Sequence, residues 1–201
     1  MGEFATDSQL IVEYDNYYLA DPEKWAVQAR NRYMVERVND IGCKPKNVLD
    51  VGCGNGHTLA YAGLRWGVEL HGLDLSPEAV RLAQKRLPEA VVSNEFLERW
   101  KPGRKYDLVL CMGVAEHFRD IVSGLKKLKE LAGGYIYLEV PNCLSYSPGE
   151  QGYRRLSVGS HQLEWHLTKE RWIAYINEAG LKIAMTATGQ KRSWEFVWIL
   201  E

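Results

Sequence analysis

The segment Val48-Leu49-Asp50-Val51-Gly52-Cys53-Gly54-Asn55-Gly56 constrains the fold more than any other part of the chain. Its apolar start reads as a buried parallel strand. Three glycines at alternate positions follow, and a helix-compatible stretch begins at His57. Glycines this dense let the backbone turn sharply and let a ligand approach it. Strand, glycine turn and helix N-terminus together make a nucleotide-type pocket at the carboxyl end of a sheet. The dinucleotide fingerprint needs its third glycine three positions after the second; here Gly56 stands two after Gly54. The Lys-Ser/Thr of a phosphate-cradling loop is absent as well. Asp50, beside the turn, repels a pyrophosphate and attracts a cation or an ammonium group.

At 201 residues the chain suits one domain. A net charge of −1 gives no global pull toward nucleic acid or a membrane surface. Lys126, Lys127 and Lys129 read as a solvated helix face. Cys43, Cys53, Cys111 and Cys143 show neither metal-ligand nor disulfide-framework spacing and read as reduced thiols. With no secretory leader pattern and no apolar run of membrane-spanning length, a cytoplasmic location is expected. Met1-Gly2-Glu3-Phe4 reads as a cloning remnant.

Residues 5–21 read as a polar, tyrosine-rich arm holding Tyr14, Tyr17 and Tyr18. Pro22 after Asp21 suits a helix start. Trp25, Ala29, Tyr33, Val35 and Val38 then recur at helical spacing up to Ile41, with Gly42 as the stop. The first strand is Asn47–Val51, and residues 58–66 form the next helix. A second strand, 69–73, delivers Asp74 to its carboxyl end, 18 residues after Gly56. A carboxylate there can accept hydrogen bonds from both hydroxyls of a ribose. Ser76, Pro77 and Glu78 already start the following helix, Pro77–Arg86, which leaves Asp74 for a ligand.

Residues 90–93 and Tyr106–Met112 are the third and fourth strands. The fourth is almost continuously apolar, as a central parallel strand should be. Ile121–Leu131 is a helix stopped by Gly133-Gly134, and 135–140 is the fifth strand. From Pro141 to about residue 164 the chain reads as one long irregular stretch, and a loop of that length is functional or disordered. Thr168 caps a helix over 169–179 that ends at Gly180. Residues 181–187 and 194–200 read as a closing hairpin. The expected fold is α/β: a doubly wound, mostly parallel seven-stranded sheet with an antiparallel last strand.

The glycine segment resembles motif I of the class I S-adenosylmethionine-dependent methyltransferases, matching at Leu49, Asp50, Gly52, Gly54 and Gly56. That cofactor has no phosphate; it carries an ammonium, a carboxylate and a sulfonium, so a carboxylate beside bare backbone suits it. Gly113-Val114-Ala115-Glu116-His117 resembles the segment after strand 4 in ubiquinone-biosynthesis-type O-methyltransferases. The resemblance implies a Rossmann-like methyltransferase fold over residues 22–201, with 1–21 as a lid and about 141–166 covering the acceptor. It implies that Asp50, Gly52, Cys53, Gly54 and Gly56 cradle the cofactor, and that Asp74 with Leu75 holds its sugar. Adenine contacts fall to the Asn94 side chain and to a backbone amide of Glu95 or Phe96. Cys111, Met112 and Gly113 lie along the methionine part, with Glu116 and His117 facing the reaction centre. Some such enzymes draw metal ligands from this stretch through two carboxylates and a histidine. Here the first carboxylate is replaced by Gly113, so no required metal is expected.

The implied activity is transfer of a methyl group from S-adenosylmethionine, leaving S-adenosylhomocysteine, to an oxygen or nitrogen of a small-molecule acceptor. An acceptor proton must leave, and histidine is a natural base near neutral pH. The candidates are His117 and His161, with Glu116 orienting the base. His161 and His166 flank Glu164-Trp165, in a segment loosely similar to the histidine-and-aromatic stretch of small-molecule methyltransferases. The alternatives are a cofactor-binding regulatory or partner protein without catalysis, or an RNA or protein methyltransferase. A nicotinamide dehydrogenase is disfavoured by the glycine spacing. The Asn/Asp-Pro-Pro-aromatic segment of adenine-N6 enzymes and the Pro-Cys pair of cytosine-C5 enzymes are missing, so nucleic acid is a poor first guess.

Overall fold

A computed structural model of the chain describes residues 6–23, 28–142, 152–155, 163–188 and 195–201. In order, the elements are α1 (Asp7–Ala20), α2 (Gln28–Asp40), β1 (Asn47–Val51), α3 (His57–Trp66), β2 (Glu69–Asp74), α4 (Pro77–Arg86), β3 (Val91–Asn94) and β4 (Tyr106–Met112). A short 3-10 turn (Ala115–His117) then leads to α5 (Ile121–Leu131), β5 (Ala132–Pro141), β6 (Gly152–Arg155), β7 (Leu163–His166), α6 (Lys169–Glu178), β8 (Ile183–Thr188) and β9 (Glu195–Leu200).

Seven strands form one sheet in the order β3-β2-β1-β4-β5-β9-β8. The first five are mutually parallel, and β9 inserts antiparallel between β5 and β8. This is the expected doubly wound sheet. Both faces are apolar because successive side chains of a strand point to opposite sides. Leu49, Val51 and Val109 pack on one face with Leu125 and Leu128 of α5 and Trp172 of α6. Val48, Leu108 and Leu110 pack on the other with Met34 of α2, Leu59 of α3 and Ala83 of α4. The right-handed crossovers of such a sheet bring the loops after β1, β2 and β4 to one edge. Among the described residues no helix is long and apolar enough to cross a membrane.

Four local expectations are corrected. The N-terminal arm is a helix, α1, because Thr6 and Gln9 close a capping box: the Thr6 Oγ accepts from the Gln9 amide and the Gln9 side chain accepts from the Thr6 amide. The following helix does not start at Pro22. Asp21 caps the C-terminus of α1, Pro22-Glu23 is a turn, and α2 is described from Gln28; Trp25 lies outside the described residues. Gly133 and Gly134 do not stop a helix but belong to β5. There the ladder to β4 shifts register between Tyr106 and Leu108, and a Cβ on Gly134 would stand 2.4 Å from the Asp107 carbonyl oxygen. The long stretch after Pro141 is not wholly irregular: β6 and β7 pair as an antiparallel ribbon, Gly152 opposite His166 through Arg155 opposite Leu163.

Candidate functional site

The turn after β1 is tied to the end of β2. The Asp74 carboxylate is 7% exposed and accepts from the Gly54 amide at 2.8 Å and from the Ser76 amide at 2.9 Å. Burial pushes its pKa up to about 6, while the Ser76, Gly54 and Leu75 amides pull the other way. Ser76 meanwhile caps α4, its Oγ accepting from the Ala79 amide. The side-chain cap of α4 is thus Ser76, while the Asp74 carboxylate, at the carboxyl edge of the sheet beside the glycine turn, holds the backbone amides on either side of it. Asp50, on β1, is fully enclosed, and burial raises its pKa to about 7, with the Arg30 guanidinium lowering it and Asp74 raising it. Cys53 and Cys111 are buried thiols held well above their ordinary pKa by the same loss of water; neither is a nucleophile at neutral pH.

Helix α1 lies across this edge. Its Asp15 Oδ1 accepts from the Ser76 hydroxyl and from the Glu78 amide, where the N-terminus of α4 favours a negative charge. Asp7 pairs with Arg99 and Arg119, and Glu23 beyond the helix pairs with Arg86 and His57. The Tyr18 ring covers the glycine turn. Gly54 has φ +53°, and a Cβ there would sit 2.5 Å from the Tyr18 hydroxyl, so only glycine allows both the turn and the covering ring. Burial, then the carboxyls of Asp74 and Glu116, raise the Tyr14 phenol far above its ordinary range. Tyr14 thus stands between the ends of β2 and β4.

At the end of β4, Gly113 donates its amide to the Glu139 carbonyl of β5. The Arg30 guanidinium of α2 forms an ion pair with the Glu139 carboxylate. Arg30 Nη2 is 3.2 Å from where a side chain on Gly113 would begin. A guanidinium occupies the space that a carboxylate at position 113 would claim. Among the described residues no three His, Cys, Asp or Glu side chains gather as a metal-binding group.

Glu116 is 3% exposed, and its Oε2 makes no hydrogen bond among the described residues. Burial pushes its pKa up to about 7; His117 and Arg30 lower it and Glu164 raises it. His117 Nε2 is 3.9 Å from Glu116 Oε1, an ion-pair distance longer than a hydrogen bond. His161 lies outside the described residues. Two of the expected adenine contacts also change. The Glu95 amide donates to the Asp74 carbonyl, and the Phe96 amide donates to the Glu95 carboxylate, so both are engaged. Asn94 gives its Nδ2 to the Asp74 carbonyl and keeps its side-chain oxygen for other partners. Gly52, Gly56, Met112 and Leu75 contribute backbone at the same edge.

Sequence reasoning placed Tyr14 and Tyr18 only in a lid arm and Glu164 only beside two histidines, and passed over Arg30 and Glu139 altogether. The tyrosines had a signal, the Thr6–Gln9 capping box, which turns the arm into a helix with Tyr14 and Tyr18 four apart on one face. Arg30 had none, since a charge on an amphipathic helix reads as solvated.

The sequence pattern of a family described as "Methyltransferase domain" matches residues 25–191. The ubiquinone biosynthesis O-methyltransferase of Acinetobacter baylyi is 27% identical over 209 aligned positions, covering 91% of this chain and 85% of that protein. The enzyme of the same name from Xanthomonas euvesicatoria is 30% identical over 169 positions, 77% of this chain and 69% of its own. Another such relative, from Leptothrix cholodnii, is spanned to 65% of its length. In fold, the chain superposes on the 1,6-didemethyltoxoflavin-N1-methyltransferase of Burkholderia thailandensis with TM-score 0.79 and 18% identity, over all of this chain and 92% of that one. The chain belongs to the methyltransferase-domain family and is a class I S-adenosylmethionine-dependent methyltransferase.

Proposed function

We propose that this chain methylates an oxygen or nitrogen atom of a small-molecule acceptor, with the cofactor bound across the ends of β1, β2 and β4. One observation carries the reading: the Asp74 carboxylate stands at the sheet edge, tied to the Gly54 amide of the glycine turn, while the side-chain cap of α4 is supplied by Ser76. The residues present fit the cofactor. Asp74 would take the ribose hydroxyls, and the bare backbone of the glycine turn, under Tyr18, would lie along the nucleoside. Asp50 would face the ammonium and Arg30 the carboxylate of the methionine part. When bound, S-adenosylmethionine supplies the methyl as an activated sulfonium carbon. The protein supplies orientation and a place for the acceptor's proton. Glu116 is the best placed of the candidate groups to hold that proton, because it is enclosed at the end of β4 with Oε2 unbonded. His117, about a quarter exposed, would pass the proton outward. Helix α1 and the β6–β7 ribbon would roof the cofactor and the acceptor respectively.

Calorimetry with S-adenosylmethionine and S-adenosylhomocysteine, followed by labelled methyl transfer to a panel of phenols, carboxylic acids and amines, tests this. Cofactor binding with no transfer to any of them would favour the partner-protein reading. Arg30→Met should weaken S-adenosylhomocysteine binding by about tenfold or more, the loss of a charged hydrogen-bonding group. It should leave adenosine binding unchanged, because adenosine lacks the carboxylate. Equal losses for both ligands would remove Arg30 from the proposed contact.

A further inference from the structure

The ribbon carries two titratable side chains where an apolar pair would pack as well. Alternation along β7 puts Glu164 and His166 on the same face; both are buried, at 5% and 7% exposure. Glu164 Oε1 lies 2.8 Å from His166 Nε2. Replacing a buried pair of this kind with apolar side chains is often neutral or stabilising, so stability alone gives no reason for it. Trp165, between them on the other face, donates its indole N–H to the Phe118 carbonyl at 2.8 Å. That bond fastens β7 against the 3-10 turn bearing Glu116. Charged and titratable groups reach Glu116 from each neighbouring element: Tyr14 from α1, Arg30 from α2, Cys111 from β4, His117 beside it and Glu164 from β7. Arg30 and His117 favour its ionised form, and Glu164 opposes it.

We propose that Glu164 and His166 are a positioning pair that holds Glu116 ready to take the proton leaving the acceptor. This rests on the methyl-transfer reading given above. The acceptor's O–H or N–H bond breaks, the proton moves to Glu116 Oε2, and the electron pair stays on the acceptor heteroatom as the nucleophile. His166 donates to Glu164 Oε1 and fixes that carboxylate in place beside the turn. Held there, Glu164 raises the Glu116 pKa, so that Glu116 takes up a proton near neutral pH.

The test is a carbon-13 NMR titration of the glutamate carboxyls in the full chain, with and without S-adenosylhomocysteine. The Glu116 signal is assigned by its loss in Glu116→Gln. Glu164→Gln should move the Glu116 midpoint down by roughly half a pH unit or more, because a nearby negative charge is gone. His166→Phe should do the same, and His166→Gln, which retains a donor, should restore the wild-type midpoint. A midpoint unmoved in Glu164→Gln overturns the pairing. If that variant does not fold, equal midpoints in His166→Phe and His166→Gln overturn it instead. Absence of methyl transfer by the wild-type protein would count against the methyl-transfer reading, whereas the titration reads the coupling by itself.

Discussion

Asp74→Ala should weaken cofactor binding by about 10²- to 10⁴-fold in a protein that still folds, though less stably. The estimate follows from two charge-assisted hydrogen bonds to a ribose, each worth about 1.5–3 kcal/mol. The fold survives because Ser76, not Asp74, caps α4, although the melting temperature should fall, since the Gly54 and Ser76 amides lose their buried acceptor. Calorimetry with S-adenosylhomocysteine measures the first effect and thermal melting the second. A variant that binds within a few-fold of wild type would show that the acid at the end of β2 serves only the backbone amides of Gly54 and Ser76.

Glu116→Gln should cut turnover by about 10²- to 10⁴-fold, the usual worth of a positioned acid–base group, with cofactor affinity nearly unchanged. The amide keeps the shape of the side chain but cannot accept the proton. In the wild type, kcat/KM should fall as pH drops through about 7, where burial has placed the Glu116 pKa, since only the ionised carboxylate is a base. His117→Ala should reduce turnover less, because that imidazole stands 3.9 Å away from the carboxylate and nearer to solvent. A pH profile flat from 5 to 8 would remove Glu116 from proton transfer; those limits are approximate and bracket the range in which such a group titrates.

The sheet was legible because its strands are buried on both faces and therefore read as unbroken apolar runs; Tyr106–Met112 is found at the expected bounds. The glycine turn and Asp74 were legible because their chemistry is local: a tight turn, then an acid left over after the next helix is capped. What escaped was set by long-range contact. A glycine pair after Leu131 reads as a helix stop, yet the Asp107 carbonyl of β4 is what demands it. Arg30 meets Glu139 across 109 positions of sequence, a pairing that no periodicity reveals. Glu164 and His166 alternate as a strand should, but a polar pair on an inward face is visible only once the ribbon has folded onto the turn bearing Glu116.

Helix α1 buries Tyr18 and encloses much of Tyr14, and is otherwise fastened by Asp7 to Arg99 and Arg119 and by Asp15 to the start of α4. The exposed ion pairs of Asp7 contribute about 0–1 kcal/mol each and weaken with dissolved salt. A cover held by a few such contacts can detach one end at a time, without disturbing the sheet beneath it. We propose that α1 is a lid over the pocket; exchange of fresh for used nucleoside should then quicken as dissolved salt weakens these ion pairs.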